Sequence, residues 1–112
     1  MKRTYLGEFE EIVLLAVAVT DGQAYGAALL LDIGRQTGRD LRLNQVHSAL
    51  QRLEEKGMVK SAMGEPTAER GGKRKRLFSV TAYGLRTLKE IQQVRTGFWD
   101  RLIGPLKIAV DL

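Results

Sequence analysis

Four consecutive cations, Lys73, Arg74, Lys75 and Arg76, follow Arg70 and the pair Gly71-Gly72 and lead directly into Leu77-Phe78-Ser79-Val80-Thr81. Lys and Arg at this density neutralise phosphates and release counterions, which gives affinity for a polyanion whatever its sequence. The glycines let the backbone come close to a phosphate. No structural pairing is evident for these cations, and the competing reading of the same residues is a solvated hairpin tip. Arg70, Gly72, Lys73, Arg74 and Lys75 are therefore candidate nucleic-acid contacts, and the segment upstream bears on the choice.

That segment, Asn44 to Gly57, places Val46, Ala49, Leu50 and Leu53 on one face of an amphipathic helix. Asn44 is the expected N-cap and Gly57 the expected C-terminal glycine. With the apolar stripe turned to a core, Asn44, His47, Ser48, Gln51 and Arg52 face outward, with Gln45 beside them. Short polar groups of this kind can hydrogen-bond base edges in a groove. The alternative for this face is an ordinary solvated surface. Glu54 and Glu55 lie at the far end, away from the end expected to meet DNA.

Composition agrees with an anionic partner: 18 Lys and Arg stand against 13 Asp and Glu, with a net charge of +5 and an isoelectric point near 9.8. The 112 residues suit one domain. No cysteine is present, which removes disulfides, thiolate catalysis and Cys-ligated zinc and fits a reducing cytoplasm. With a single histidine and no carboxylate cluster at metal-ligand spacing, neither an activated nucleophile nor a metal site is expected, and no cofactor. Gly71-Gly72-Lys73 lacks the spacing and the following Ser or Thr of a P-loop. An enzyme is not expected. The apolar run Ile12–Val19 is too short to span a bilayer, and Glu8, Glu10 and Glu11 separate it from Lys2 and Arg3, against a signal segment.

The elements that would position these groups follow from the punctuation. A first helix is expected from about Leu6 to Thr20, closed by Asp21-Gly22 and apolar on more than one side, as if covered by its own domain and by a partner. A second opens at Tyr25-Gly26 and stops at Thr37-Gly38. After the polar-faced third helix, Met58–Met63 and Arg76–Val80 read as the strands of a β-hairpin wing. Thr81 should cap a last helix carrying Leu85, Leu88, Ile91, Val94, Phe98, Trp99 and Leu102, ended by Gly104-Pro105. The expected fold is mainly α with a small β-hairpin: a winged helix-turn-helix domain over 1–80, a dimerisation helix over 81–104 and a short tail over 105–112. Leu85, Leu88, Ile91, Val94, Phe98 and Leu102 are the candidate dimer contacts.

From Leu6 to about Leu102 the chain resembles the PadR-type transcriptional regulators. The resemblance rests on Leu6-Gly7-Glu8-Phe9-Glu10, on Tyr25-Gly26, on Leu50 to Val59, on Gly71 to Lys75 and on Thr81-Ala82-Tyr83-Gly84, taken in order. It implies a cytoplasmic homodimer that binds a roughly palindromic double-stranded DNA operator, usually as a repressor, and often releases it when a small molecule binds. Phe98 and Trp99 are candidate contacts for a small aromatic effector, although filling the interface core is the weightier reading of both. Two departures stand out. His47-Ser48 occupies the place of the family's usual Tyr and small residue or Pro; the imidazole can donate to a phosphate where the Tyr would hold the DNA backbone, though with shorter reach, and the alternative is a surface histidine with no role. Leu77-Phe78 stands where a Tyr pair is usual. The rival from another class is a winged helix that binds an acidic protein; DNA binding predicts a steep salt dependence and a footprint, and the rival predicts neither.

Overall fold

The computed structural model describes residues 5–20, 22–65 and 74–110. Along the chain run α1 (Glu8–Thr20), α2 (Gly26–Thr37), α3 (Leu43–Glu55), β1 (Val59–Met63), β2 (Arg76–Val80) and α4 (Ala82–Val110). This is the winged-helix order, mainly helical with one antiparallel hairpin, paired from Val59↔Val80 to Met63↔Arg76. Arg70, Gly72 and Lys73, with the rest of 66–73, lie outside the described residues, as do Lys2, Arg3 and Asp21.

Val13, Leu14 and Val17 of α1 meet Leu29 and Ile33 of α2 and Val46, Leu50 and Leu53 of α3, all nearly or fully buried. Met58 and Phe78 close this core from the hairpin side. Each such side chain contributes about 1.5–3 kcal/mol when fully buried, so the three helices and the wing root are held as one body. Ala24, just before α2, adds a third short edge to the hairpin by accepting the Phe78 N–H at 2.7 Å. The entrance of α2 and the wing are thereby tied together.

Helix ends explain two differences from the sequence expectations. α3 starts at Leu43, and its N-cap is Arg42 rather than Asn44. Gln45 Oε1 accepts the Arg42 N–H at 2.8 Å, the reach-back half of a capping box, which fixes the helix start at Arg42. Asn44 consequently sits inside the first turn, exposed. At the other end Gly57 has φ +76°, as the expected helix stop requires.

α4 runs on to Val110, past Gly104-Pro105 where a stop was expected. Proline's fixed φ is compatible with a helix, but its missing N–H and the crowding of its ring against the preceding turn cost about 3 kcal/mol, a cost the continued helix carries. At its start the cap is the expected one: Thr81 Oγ1 accepts the Gly84 N–H at 3.0 Å. The same hydroxyl donates to the Gly57 carbonyl at 2.7 Å. Gly84 lies so close to the Met58 carbonyl that a Cβ would collide with it. α4 is therefore seated on the exit of α3.

From that seat Leu88 packs against the chain's own core, and Ile91 is half-buried. Beyond them Val94, Phe98, Trp99 and Leu102 are 59, 62, 60 and 37% exposed. A 29-residue helix is about 43 Å long, and of this stripe Leu88 is the residue that packs against the core. The expected interface stripe thus divides: Leu88 serves the core, while Val94, Phe98 and Leu102 stay exposed, with Leu85 exposed on a neighbouring face. Leu15 and Val19 of α1 are exposed as well, in line with a first helix apolar on more than one side. No described helix is long and apolar enough to cross a membrane.

Candidate nucleic-acid interface

Because Val46, Ala49, Leu50 and Leu53 are buried, helical geometry turns Asn44, His47, Ser48 and Gln51 outward, and all four are exposed. Gln51 makes only a long hydrogen bond to Glu55, 3.4 Å from Nε2 to Oε1. Asn44, His47 and Ser48 have no side-chain hydrogen bond within the described residues, so their donors and acceptors are open to a partner. Asn44, Gln45 and Ser48 line a shallow groove of about 630 Å³ together with Phe9, Arg39, Asp40, Leu41 and Arg52. Gln45 spends its carbonyl on Arg42 and keeps its amide N–H groups free. His47 lies over Gly26, where a Cβ would come within 2.6 Å of its Cε1, so the glycine that opens α2 makes room for the imidazole.

Arg52 is exposed as expected, but it has a partner within the chain. Its Nε donates to Glu10 Oε2 at 3.0 Å, with Lys56 Nζ on Oε1 of the same carboxylate at 2.8 Å. The Gly7 N–H adds a third donor at 2.9 Å. Burial pushes the Glu10 carboxyl up, but the bonds from Lys56, Gly7 and Arg52 outweigh it and hold the group below the ordinary glutamate range. Exposed Glu8 pairs with Arg39, and that bond lowers its pKa too. Glu11 holds Arg95 of α4 at 2.8 Å. Three acids in the first turns of α1 thus reach the α2–α3 loop, α3 and α4.

The wing differs again. Arg74 donates through Nε to the Gly64 carbonyl at 2.8 Å and through Nη2 towards Met63 at 3.4 Å, across the hairpin mouth. Lys75 places Nζ 4.1 Å from the centroid of the Tyr25 ring. Arg76 donates to Ser61 Oγ at 2.9 Å, and Ser61 in turn to Glu54 at 2.7 Å. The expectation that these cations lack structural pairing is corrected: the hairpin leaves carbonyls and a ring face beside them, and an arginine has donors to spare for both.

Sequence reasoning missed two participants. Glu10 falls on the buried stripe of α1, at i, i+3, i+4 and i+7 with Val13, Leu14 and Val17, and an acid there requires partners. Tyr25 gave no comparable signal, since the cation over its ring comes from a distant part of the chain. Among the described residues no three His, Asp or Glu side chains converge on a metal-binding position.

The family model described as the transcriptional regulator PadR-like family matches residues 14–99. No curated protein matches the chain. Among solved structures, a PadR family regulator from Eggerthella lenta is 24% identical with a TM-score of 0.64, covering 94% of this chain and 88% of that one. A PadR family regulator from Clostridium difficile is 20% identical with a TM-score of 0.62, covering 88% and 97%. A PadR-like regulator from Bacillus cereus is 15% identical with a TM-score of 0.64, covering 93% and 92%. At these identities the likeness concerns the fold.

Proposed function

Because this chain belongs to the PadR-like family of transcriptional regulators, matched over residues 14–99, we propose that it is a homodimeric repressor reading a palindromic operator with α3. The observation that carries the reading is the exposed face of Asn44, His47, Ser48 and Gln51, whose hydrogen-bonding groups are left open on a rigid helix. Ser48 and Gln51 read base edges, as their short polar side chains suit. His47 and the wing cations hold the backbone, with Lys75 presented from the Tyr25 ring and Arg76 keeping donors beyond its bond to Ser61. Arg70, Gly72 and Lys73 belong to the same backbone-contacting loop.

Dimerisation uses the exposed apolar side chains of α4, Val94, Phe98 and Leu102, joined by Leu85 and by Leu15 and Val19 of α1. An apolar row of this length left in water is unfavourable, and a second copy covers it by symmetry. Leu88 contributes mainly to the chain's own core, and half-buried Ile91 lies between it and the exposed residues. Trp99 and Phe98, 60 and 62% exposed in the single chain, fill the core of that interface, and a planar aromatic effector would stack on the same two rings.

Selection of duplexes from a random pool by the purified protein, followed by footprinting and sedimentation of the complex, tests the reading. The expected result is a protected palindrome carrying two chains, with affinity that falls steeply with salt. Binding without sequence preference or salt dependence would favour the protein-interaction alternative. Phe98→Asp and Val94→Asp should each yield monomers, because a carboxylate cannot be buried unpaired in an apolar interface; a variant that still sediments as a dimer would exclude this face.

A further inference from the structure

Glu10 is 8% exposed in a chain where the other described acids bonded to cations are more open, and it shares one negative charge between two cations, Arg52 on α3 and Lys56 just after it. One carboxylate and two cations leave the cluster with a net positive charge. The geometry decides where that charge is presented. Lys56 is the less exposed of the two, its side chain 28% accessible against 50% for Arg52, and it is further tied down by the Tyr5 carbonyl at 3.1 Å. Arg52 gives Glu10 only its Nε. Its two terminal nitrogens have no acceptor within the described residues, and the side chain lines the groove that also holds Asn44, Gln45 and Ser48.

A guanidinium held by Nε on one edge still offers a two-nitrogen edge to a phosphate, and the side-chain entropy that a free arginine would lose on binding is already spent. From this we infer that Glu10 is a positioning residue for DNA binding: it fixes Arg52 so that the outer guanidinium edge meets a backbone phosphate beside the recognition helix, while Lys56 neutralises the carboxylate behind it. The inference rests on the DNA-binding reading above and names a residue of α1, itself on neither the helix face nor the wing, as part of that function.

Simple electrostatics expects the opposite of what this arrangement does. Removing an acid next to a DNA-binding surface raises net positive charge and should tighten non-specific binding. Glu10→Ala should instead weaken binding to selected and scrambled duplexes alike, about ten-fold, and lower the slope of log affinity against log salt by about 0.9, the share of one phosphate. Glu10→Gln keeps an acceptor for Nε and should restore most of the loss. In an Arg52→Ala background, Glu10→Ala should cost no further affinity, since its effect passes through Arg52. Fluorescence anisotropy at several salt concentrations measures the wild type and the four variants, with circular dichroism fixing the folded fraction. If Glu10→Ala does not fold, Arg52→Lys serves: lysine can reach Glu10 or the phosphate but not both, so affinity and slope should still fall. Wild-type affinity and slope in Arg52→Lys, or a further loss from Glu10→Ala without Arg52, would overturn the inference. Absence of salt-dependent binding by the wild-type protein would instead remove the DNA-binding reading beneath it.

Discussion

Helix α3 and the wing both carry the polar groups expected of a DNA-binding surface, yet the fold treats them in opposite ways. On α3 the backbone is fixed by the core, by Gln45 at the cap and by Glu10 at the last turns, while Asn44, His47 and Ser48 are left open. In the wing the described cations themselves do the bracing, Arg74 across the hairpin mouth, Lys75 on Tyr25 and Arg76 on Ser61. A base-reading group must keep its hydrogen bonds unspent, because discrimination comes from satisfying them only on the right sequence. A backbone-gripping cation can spend one donor at home and still attract a phosphate by charge.

The largest effect should come from the seat that joins α3 to α4. Gly84→Leu drives a side chain into the Met58 carbonyl and Val80, and should cost about 3 kcal/mol of stability, lowering helix and wing function together. Thermal unfolding checks this; an unchanged midpoint would mean the seat is not fixed. Next is the ion cluster. Glu10→Gln should cost about 2 kcal/mol at neutral pH, since it leaves Lys56 poorly paired at a mostly buried site. The Glu10 carboxyl titrates below the ordinary range in the folded chain. Its contribution is therefore complete above the unfolded value of about 4.3 and lost as pH falls through the folded one. Urea midpoints of the two proteins should converge in acid; a gap that persists there would show that packing, not charge, is responsible.

The smallest effect belongs to the wing. Tyr25→Leu removes the ring under Lys75 and should cost about 0.5 kcal/mol, with a modest, equal loss on all DNA, whereas Tyr25→Phe keeps the ring and should match wild type. If Phe behaved as Leu, the hydroxyl rather than the ring face would be the working part.

Much of this was legible in the chain because periodicity and punctuation are local signals. The stripe Val46, Ala49, Leu50, Leu53 placed α3 and its outward face, and Thr81 capped α4 as expected. What was not legible depends on how distant segments meet. Leu88 looks the same as Phe98 in a helical stripe, and only the extent of the neighbouring core decides that the first is covered and the second is not. The Asn44 cap failed because Gln45 reached back to a residue that local rules do not favour as a cap. Arg74 gave no sign of its carbonyl partners, since the hairpin mouth exists only once β1 and β2 pair.

The central claim is that helix and wing divide the work, sequence reading on α3 and charge on the hairpin. Anisotropy titrations of Ser48→Ala, Gln51→Ala and the pair Lys75→Ala with Arg76→Ala, on a selected duplex and a scrambled one over a range of salt, measure it directly. The helix variants should lose about 1–3 kcal/mol of preference for the selected duplex with an unchanged salt slope. The wing variant should lose affinity equally on both and flatten the slope by about 0.9 for each phosphate it no longer neutralises. Equal losses on both duplexes from the helix variants, or a wing variant with wild-type slope, would contradict the division.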